Sequence, residues 1–123
     1  MSNKLARPRL AAFNRQSGCC HYCSLPIWQE CPQAFAAKYR ISVKQAALFR
    51  CTAEHVLACQ DGGGNSEANI VAACWVCNQR RHRGRKCTDA NKYLSLVQRR
   101  VKQKRWHFAW VYERLAVPQS ATF

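Results

Sequence analysis

The stretch that decides the fold runs from Thr52 to His82. It begins Thr52-Ala53-Glu54-His55-Val56-Leu57-Ala58, passes through Asp61-Gly62-Gly63-Gly64-Asn65-Ser66, and continues as Asn69-Ile70-Val71-Ala72-Ala73. It ends Cys74-Trp75-Val76-Cys77-Asn78-Gln79-Arg80-Arg81-His82. Thr52–Ala58 predicts a strand, and Ile70–Ala73 a second, shorter one. Between them lies the only glycine cluster of the chain, its most turn-like segment. Trp75–His82 predicts a helix. The order is therefore strand, glycine loop, strand, helix.

Two cysteine pairs share one spacing, Cys20-x2-Cys23 ahead of this stretch and Cys74-x2-Cys77 within it. That spacing lets neighbouring thiolates grip one tetrahedral ion, so the four residues read as a structural zinc site. The 50 residues between the pairs exceed a compact zinc ribbon, which makes the intervening segment a folded insertion. Nine cysteines in all is an odd count and argues against a closed disulfide framework. Met1–Leu10 has charge but no apolar run behind it, unlike a signal peptide. The longest nearly unbroken apolar stretch, Ile70–Cys77, is far short of the roughly 20 residues that span a bilayer. A reducing, cytoplasmic compartment with no membrane partner is the expectation, and there paired cysteines mean metal. Cys19 rivals Cys20 but sits at a looser spacing from Cys23. Cys31, Cys51, Cys59 and Cys87 lack paired spacing and read as buried thiols.

The chain has 123 residues, enough for a single domain with a limited core that a metal staple would help. Lysine and arginine total 20 against 6 acids, a formal charge of +14. That balance calls for a polyanion, and nucleic acid is the natural one. Arg80, Arg81, Arg83, Arg85 and Lys86 follow the Trp75–His82 helix as a basic cluster able to clamp phosphates. A second cluster, Arg99, Arg100, Lys102, Lys104 and Arg105, lies on a predicted helix Ala90–Arg105 with Tyr93, Leu94, Val97 and Val101 on one face. Helices are also predicted over Leu5–Gln16, stopped by Ser17-Gly18, over Pro32–Tyr39, and from a Ser42 cap through Phe49. Trp106 and Trp110 read as core, His21 as a knuckle surface residue, and His107 as packing or a phosphate contact. Val117–Phe123 reads as a frayed tail.

The acid–histidine pair Glu54-His55, the Gly-Gly loop, Asn69 before a short strand, and Cys-x2-Cys-Asn ending at Asn78 resemble the HNH nuclease family in order and spacing. The resemblance covers residues 20–82, with a C-terminal basic helical extension at 90–114. It implies an α+β fold with a small ββα-metal core: an antiparallel hairpin and a helix packed across it, here stapled by a four-cysteine zinc site and flanked by helices. It also implies a metal-dependent endonuclease acting on DNA and leaving 3′-hydroxyl and 5′-phosphate ends.

Within that resemblance His55 is the general base that activates water; a neutral histidine is available near its reference pKa of about 6.5. Glu54, Asn78 and His82 are the expected ligands of a catalytic divalent ion, Mg2+ or Mn2+, which prefers hard oxygen or imidazole donors. Members more often carry Asp or His where Glu54 stands. Glu54 and His55 are adjacent, so on a strand they face opposite ways, and a bulge or the hairpin edge must bring both to one site. Asn78 and His82 are four apart and share a helix face. Asn69, fourteen residues after His55, holds the loop and orients the base. The rival reading is a non-catalytic zinc module that binds nucleic acid through a decayed site. RNA as a substrate and the choice between monomer and homodimer stay open.

Overall fold

The computed structural model describes residues 4–57, 62–83 and 88–116. β1 (Cys51–His55) and β2 (Ile70–Cys74) form a two-stranded antiparallel sheet, and six α-helices surround it among the described residues. They are α1 (Ala6–Arg15), α2 (Pro32–Tyr39), α3 (Val43–Ala46), α4 (Trp75–Arg81), α5 (Ala90–Lys102) and α6 (Ala109–Arg114). The expected α+β core, hairpin plus helix beside four clustered cysteines, is present.

Local sequence explains the helix ends. Ser17 and Gly18, at φ 56° and 73°, stop α1, and the Gly18 N–H bonds back to the Phe13 carbonyl at 2.9 Å. Pro32 opens α2 at a position where its missing N–H costs nothing. Ser42 and Gln45 form a reciprocal capping box on α3. The helix expected from Ser42 through Phe49 divides there, since α3 tightens into a 3-10 turn over Ala47–Phe49. Asp89 caps α5, its Oδ2 accepting from the amides of Asn91 and Lys92 at 3.1 Å. The apolar face of α5 lies inward: Tyr93 and Val97 are buried, and Leu94 and Val101 pack against the core. That helix ends at Lys102 rather than Arg105, because Lys104 turns to φ 57° and the chain then enters α6.

The sheet register is continuous, from Cys51 opposite Cys74 to His55 opposite Ile70. Of the two ways to bring Glu54 and His55 to one site, a bulge or the hairpin edge, the bulge is absent, and His55 is the last residue of β1. β1 stops at His55 rather than Ala58. The Val56 amide still reaches the Asn69 carbonyl at 2.9 Å, but the Leu57 amide bonds the Asn69 side chain instead of a strand partner. Ala58 itself lies outside the described residues, as do Cys59, Arg85, Lys86, Cys87 and the tail from Val117.

The core lies between the hairpin, the first cysteine knuckle and the C-terminal helices. Tyr22, Phe49, Ile70, Val97 and Val111 are essentially fully buried. Burial of apolar side chains of this size stabilises by about 1.5–3 kcal/mol each. Gln16, just past α1, acts like a short strand beside β2, its side-chain amide donating to the Ala72 carbonyl at 2.8 Å and accepting from the Ala72 N–H at 2.9 Å. The His21 N–H reaches the same carbonyl at 2.8 Å, which ties the knuckle to the sheet. Cys31 departs from expectation: it is exposed and serves as the N-cap of α2. No helix among the described residues is long and apolar enough to cross a membrane.

Candidate functional site

Two sites share the hairpin–α4 unit. The first is the cysteine cluster. The sulfurs of Cys20, Cys23, Cys74 and Cys77 all lie within 4.8 Å of one another and all four residues are buried. A tetrahedral zinc ion with Zn–S bonds of about 2.3 Å would set them roughly 3.8 Å apart, and Cys23 and Cys74 already stand at 4.0 Å. N–H groups surround the cluster. The Cys74 amide points at Cys20 Sγ (3.3 Å), the Cys77 amide at Cys74 Sγ (3.3 Å), and the Trp106 indole at Cys77 Sγ (3.3 Å). Burial raises the Cys20 thiol, yet hydrogen bonds from Cys23, Cys74 and Cys77 outweigh it and pull Cys20 well below the usual range. Cys23 is driven well above it by the same sulfur contacts, and Cys77 by burial first. A dry cage that favours the Cys20 thiolate at the expense of Cys23 and Cys77 calls for a cation to hold these thiolates together. The residues fit a structural zinc ion. Cys19 stays outside the cluster, its thiol directed at the Ser17 carbonyl.

Cys74 is also the N-cap of α4, so the helix starts at the metal cluster and runs across the sheet. Strand alternation puts Thr52 and Glu54 on the face that α4 covers, and His55 on the other. On the α4 face, Asn78 Nδ2 donates to Thr52 Oγ1 at 2.9 Å, and that hydroxyl donates to the Ala73 carbonyl at 2.7 Å.

One turn further along α4, four side chains converge. Glu54 is 1% exposed, and its charge is met from three sides. Arg81 Nη1 lies 2.9 Å from Oε2, the Tyr22 hydroxyl donates to Oε2 at 3.1 Å, and His82 Nε2 stands 2.8 Å from Oε1. His82 is the exposed member and opens the cluster to solvent. Burial first, then the Glu54 charge, raises the Tyr22 phenol far above its ordinary range, so it stays a donor.

Oε1 and Nε2 stand at nearly the separation of adjacent ligands around a cation with bonds of about 2.1 Å, roughly 3.0 Å. An oxygen and an imidazole nitrogen so placed could serve as two ligands of a divalent ion. Asn78 is one turn back on the same helix and engages Thr52 rather than Glu54 or His82.

His55, on the other face, has its Nε2 2.8 Å from Asn65 Oδ1. Asn69 clamps the intervening loop with three bonds. Its Oδ1 accepts from the Leu57 amide (2.8 Å), and its Nδ2 donates to the carbonyls of Leu57 (3.0 Å) and Gly64 (2.8 Å). The clamp requires glycine at Gly63, where a Cβ would fall 1.7 Å from the Leu57 carbonyl oxygen.

The basic residues after Asn78 divide. Arg81, read from the sequence as a phosphate contact, is buried: besides Glu54 and Tyr22, it donates to the carbonyls of His55 (2.6 Å), Val56 (2.9 Å) and Thr88 (2.9 Å). Arg80 stacks over Trp106 at 4.7 Å and donates to its carbonyl. Arg83 is exposed. His107 packs between Phe49 and Tyr112, and burial together with Arg80 lowers its pKa to about 4. Sequence reasoning passed over Tyr22, Asn65 and the structural use of Arg81. Scarcity was a usable signal: with six acids in the chain, a buried one needs a cation, and Arg81 shares the helix face of Asn78.

A family model described as HNH endonuclease matches residues 20–84 of this chain. No curated protein and no solved structure gives a match.

Proposed function

The chain belongs to the HNH endonuclease family, and from that premise we propose that it is a metal-dependent endonuclease hydrolysing phosphodiester bonds in DNA. The observation that carries the reading is the meeting of Glu54 and His82 at 2.8 Å, next in sequence to His55 and inside the matched segment. Cys20, Cys23, Cys74 and Cys77 hold the structural zinc. Glu54 and His82 are the groups for a catalytic divalent ion, magnesium or manganese, and Asn78, expected as a third, would have to turn its free Oδ1 toward that ion while Nδ2 holds Thr52. When bound, that ion acts as a Lewis acid toward the phosphoryl and leaving oxygens.

The chain's own residues do the rest. Asn65 Oδ1 is an acceptor, so His55 presents Nε2–H to it, and the lone pair then sits on Nδ1, ready to take a proton from water. Asn69 and Gly63 hold the loop that carries Asn65. Arg81 holds the His55 carbonyl and one oxygen of Glu54, leaving the other toward His82. A cation taken up at His82 Nε2 would replace the hydrogen bond between that nitrogen and Glu54 Oε1. Arg83, with Arg85 and Lys86, remains for phosphate contact.

One observation favours a second reading, a zinc-stabilised nucleic-acid-binding module without catalysis: Arg81 already neutralises Glu54. A plasmid-nicking assay with the zinc-loaded protein separates them. Nicking that appears only with added magnesium or manganese supports the enzyme. Tight DNA binding with no cleavage under any divalent ion leaves the binding module.

A further inference from the structure

Several cations around the hairpin are already used by the fold. Arg9 Nε donates to Gln29 at 3.0 Å, Arg15 donates to the Ile70 carbonyl at 3.1 Å, and Arg80 and Arg81 are engaged as above. Lys4 and Arg7 differ. Both are exposed, and neither side chain has a hydrogen-bond or ion-pair partner among the described residues. They line a cavity of about 650 Å³ formed by the start of α1 and residues 65–67, within the size range of ligand sites. Asn14, Asn65 and Ser66 add neutral hydrogen-bonding groups, and Glu67 is the one acid in its lining. Asn65 joins this cavity to the chemistry, since it is the partner of His55.

We propose that the cavity holds the sugar–phosphate backbone of the DNA strand beside the scissile bond, with Lys4 and Arg7 on its phosphates. Asn65 links strand position to His55. The proposal rests on the nuclease reading. It adds a phosphate track at the partner of His55 to the contacts proposed for Arg83, Arg85 and Lys86 beyond α4, where Arg80 and Arg81 are spent on the fold.

The test is a Lys4→Ala/Arg7→Ala double variant of the full zinc-loaded chain. Its binding to a short fluorescent DNA duplex is measured from 50 to 200 mM salt without added divalent ion. A Lys38→Ala/Lys44→Ala variant removes two exposed charges from α2 and α3 as the control. Each phosphate contact contributes about 0.9 to the slope of log affinity on log salt, so losing two should flatten it by about 1.8. Wild type then loses about 12-fold more affinity than the double variant over that range. The control keeps the wild-type slope, and single-turnover cleavage by the double variant at sub-saturating protein falls with its affinity. An unchanged slope in the Lys4/Arg7 variant overturns the proposal, as does equal flattening in the control, which would make the effect one of net charge. If wild type cuts while the Lys4/Arg7 variant binds normally, the cavity assignment fails alone. If wild type binds but never cuts, the nuclease reading falls, and a selectively flattened slope still supports the cavity as a nucleic-acid groove.

Discussion

Replacing Arg81 with methionine keeps much of the side-chain volume and removes the guanidinium. The structure makes that change costly. Arg81 and Glu54 side chains are each 2% exposed and 2.9 Å apart. Taking away one member of a buried ion pair strands the other, at about 3–5 kcal/mol. Three main-chain carbonyls, those of His55, Val56 and Thr88, also lose a donor. For a domain of this length about 1 kcal/mol moves the melting temperature by roughly 4 °C, so Arg81→Met should lower it by roughly 12–20 °C. Thermal unfolding of the zinc-loaded protein measures this. Glu54→Gln in the Arg81→Met background should recover part of the loss, because no buried charge then lacks a partner. A loss below about 1 kcal/mol would refute the reasoning, since that is nearer a surface substitution. It would return Arg81 to the phosphate-contacting residues.

Further expectations concern the metal, the loop and pH. Cys74→Ser removes a thiolate ligand while leaving a side chain able to cap α4. Structural zinc contributes about 10–16 kcal/mol in small domains, against total stabilities of about 5–15 kcal/mol, so this variant should lose both zinc and helical circular dichroism. Asn69→Ala removes three loop bonds at part-exposed positions, each worth about 1 kcal/mol or less. It should slow cleavage and speed amide exchange at Leu57 with a small change in melting temperature; unaltered exchange would contradict the clamp. Gly63→Ala should disturb the same amide, because its Cβ cannot share space with the Leu57 carbonyl. His107 has a folded pKa of about 4 against an ordinary 6.5. The unfolded chain takes up the proton first on acidification, so the stabilisation is fully present above pH 6.5 and is lost as pH falls toward 4. The loss amounts to about 2 kcal/mol by pH 5. Urea unfolding of wild type and His107→Phe should show this loss in wild type alone.

The hairpin, α4 and the cysteine cluster were legible because their signals are local: a glycine cluster, a short apolar strand, and cysteine pairs at ligand spacing. The ends of elements were less so. β1 is short because the Asn69 side chain replaces a strand partner at Leu57, an interaction between residues 12 apart with no periodic trace. Lys104 ends α5 in a left-handed turn that a run of good helix formers does not announce. At the site, the meeting of Glu54 with His82 followed the i, i+4 argument only from the helix side; the strand side needed the register. Arg81 was the hardest to place. In a chain of 20 cations any one arginine looks solvent-facing, and only three-dimensional packing singles out the one that Glu54 requires. Cys31 looked like a buried thiol from composition, yet it caps a helix at the surface.

The central claim is that His55 takes the proton from water in a metal-dependent phosphodiester cleavage. The direct measurement is the single-turnover nicking rate of wild type and His55→Ala on one plasmid with magnesium or manganese, both proteins carrying zinc and melting alike. Loss of general-base catalysis should slow His55→Ala by about 10²–10⁴-fold. DNA binding should be retained. A His55→Ala protein that nicks as fast as wild type would contradict the account.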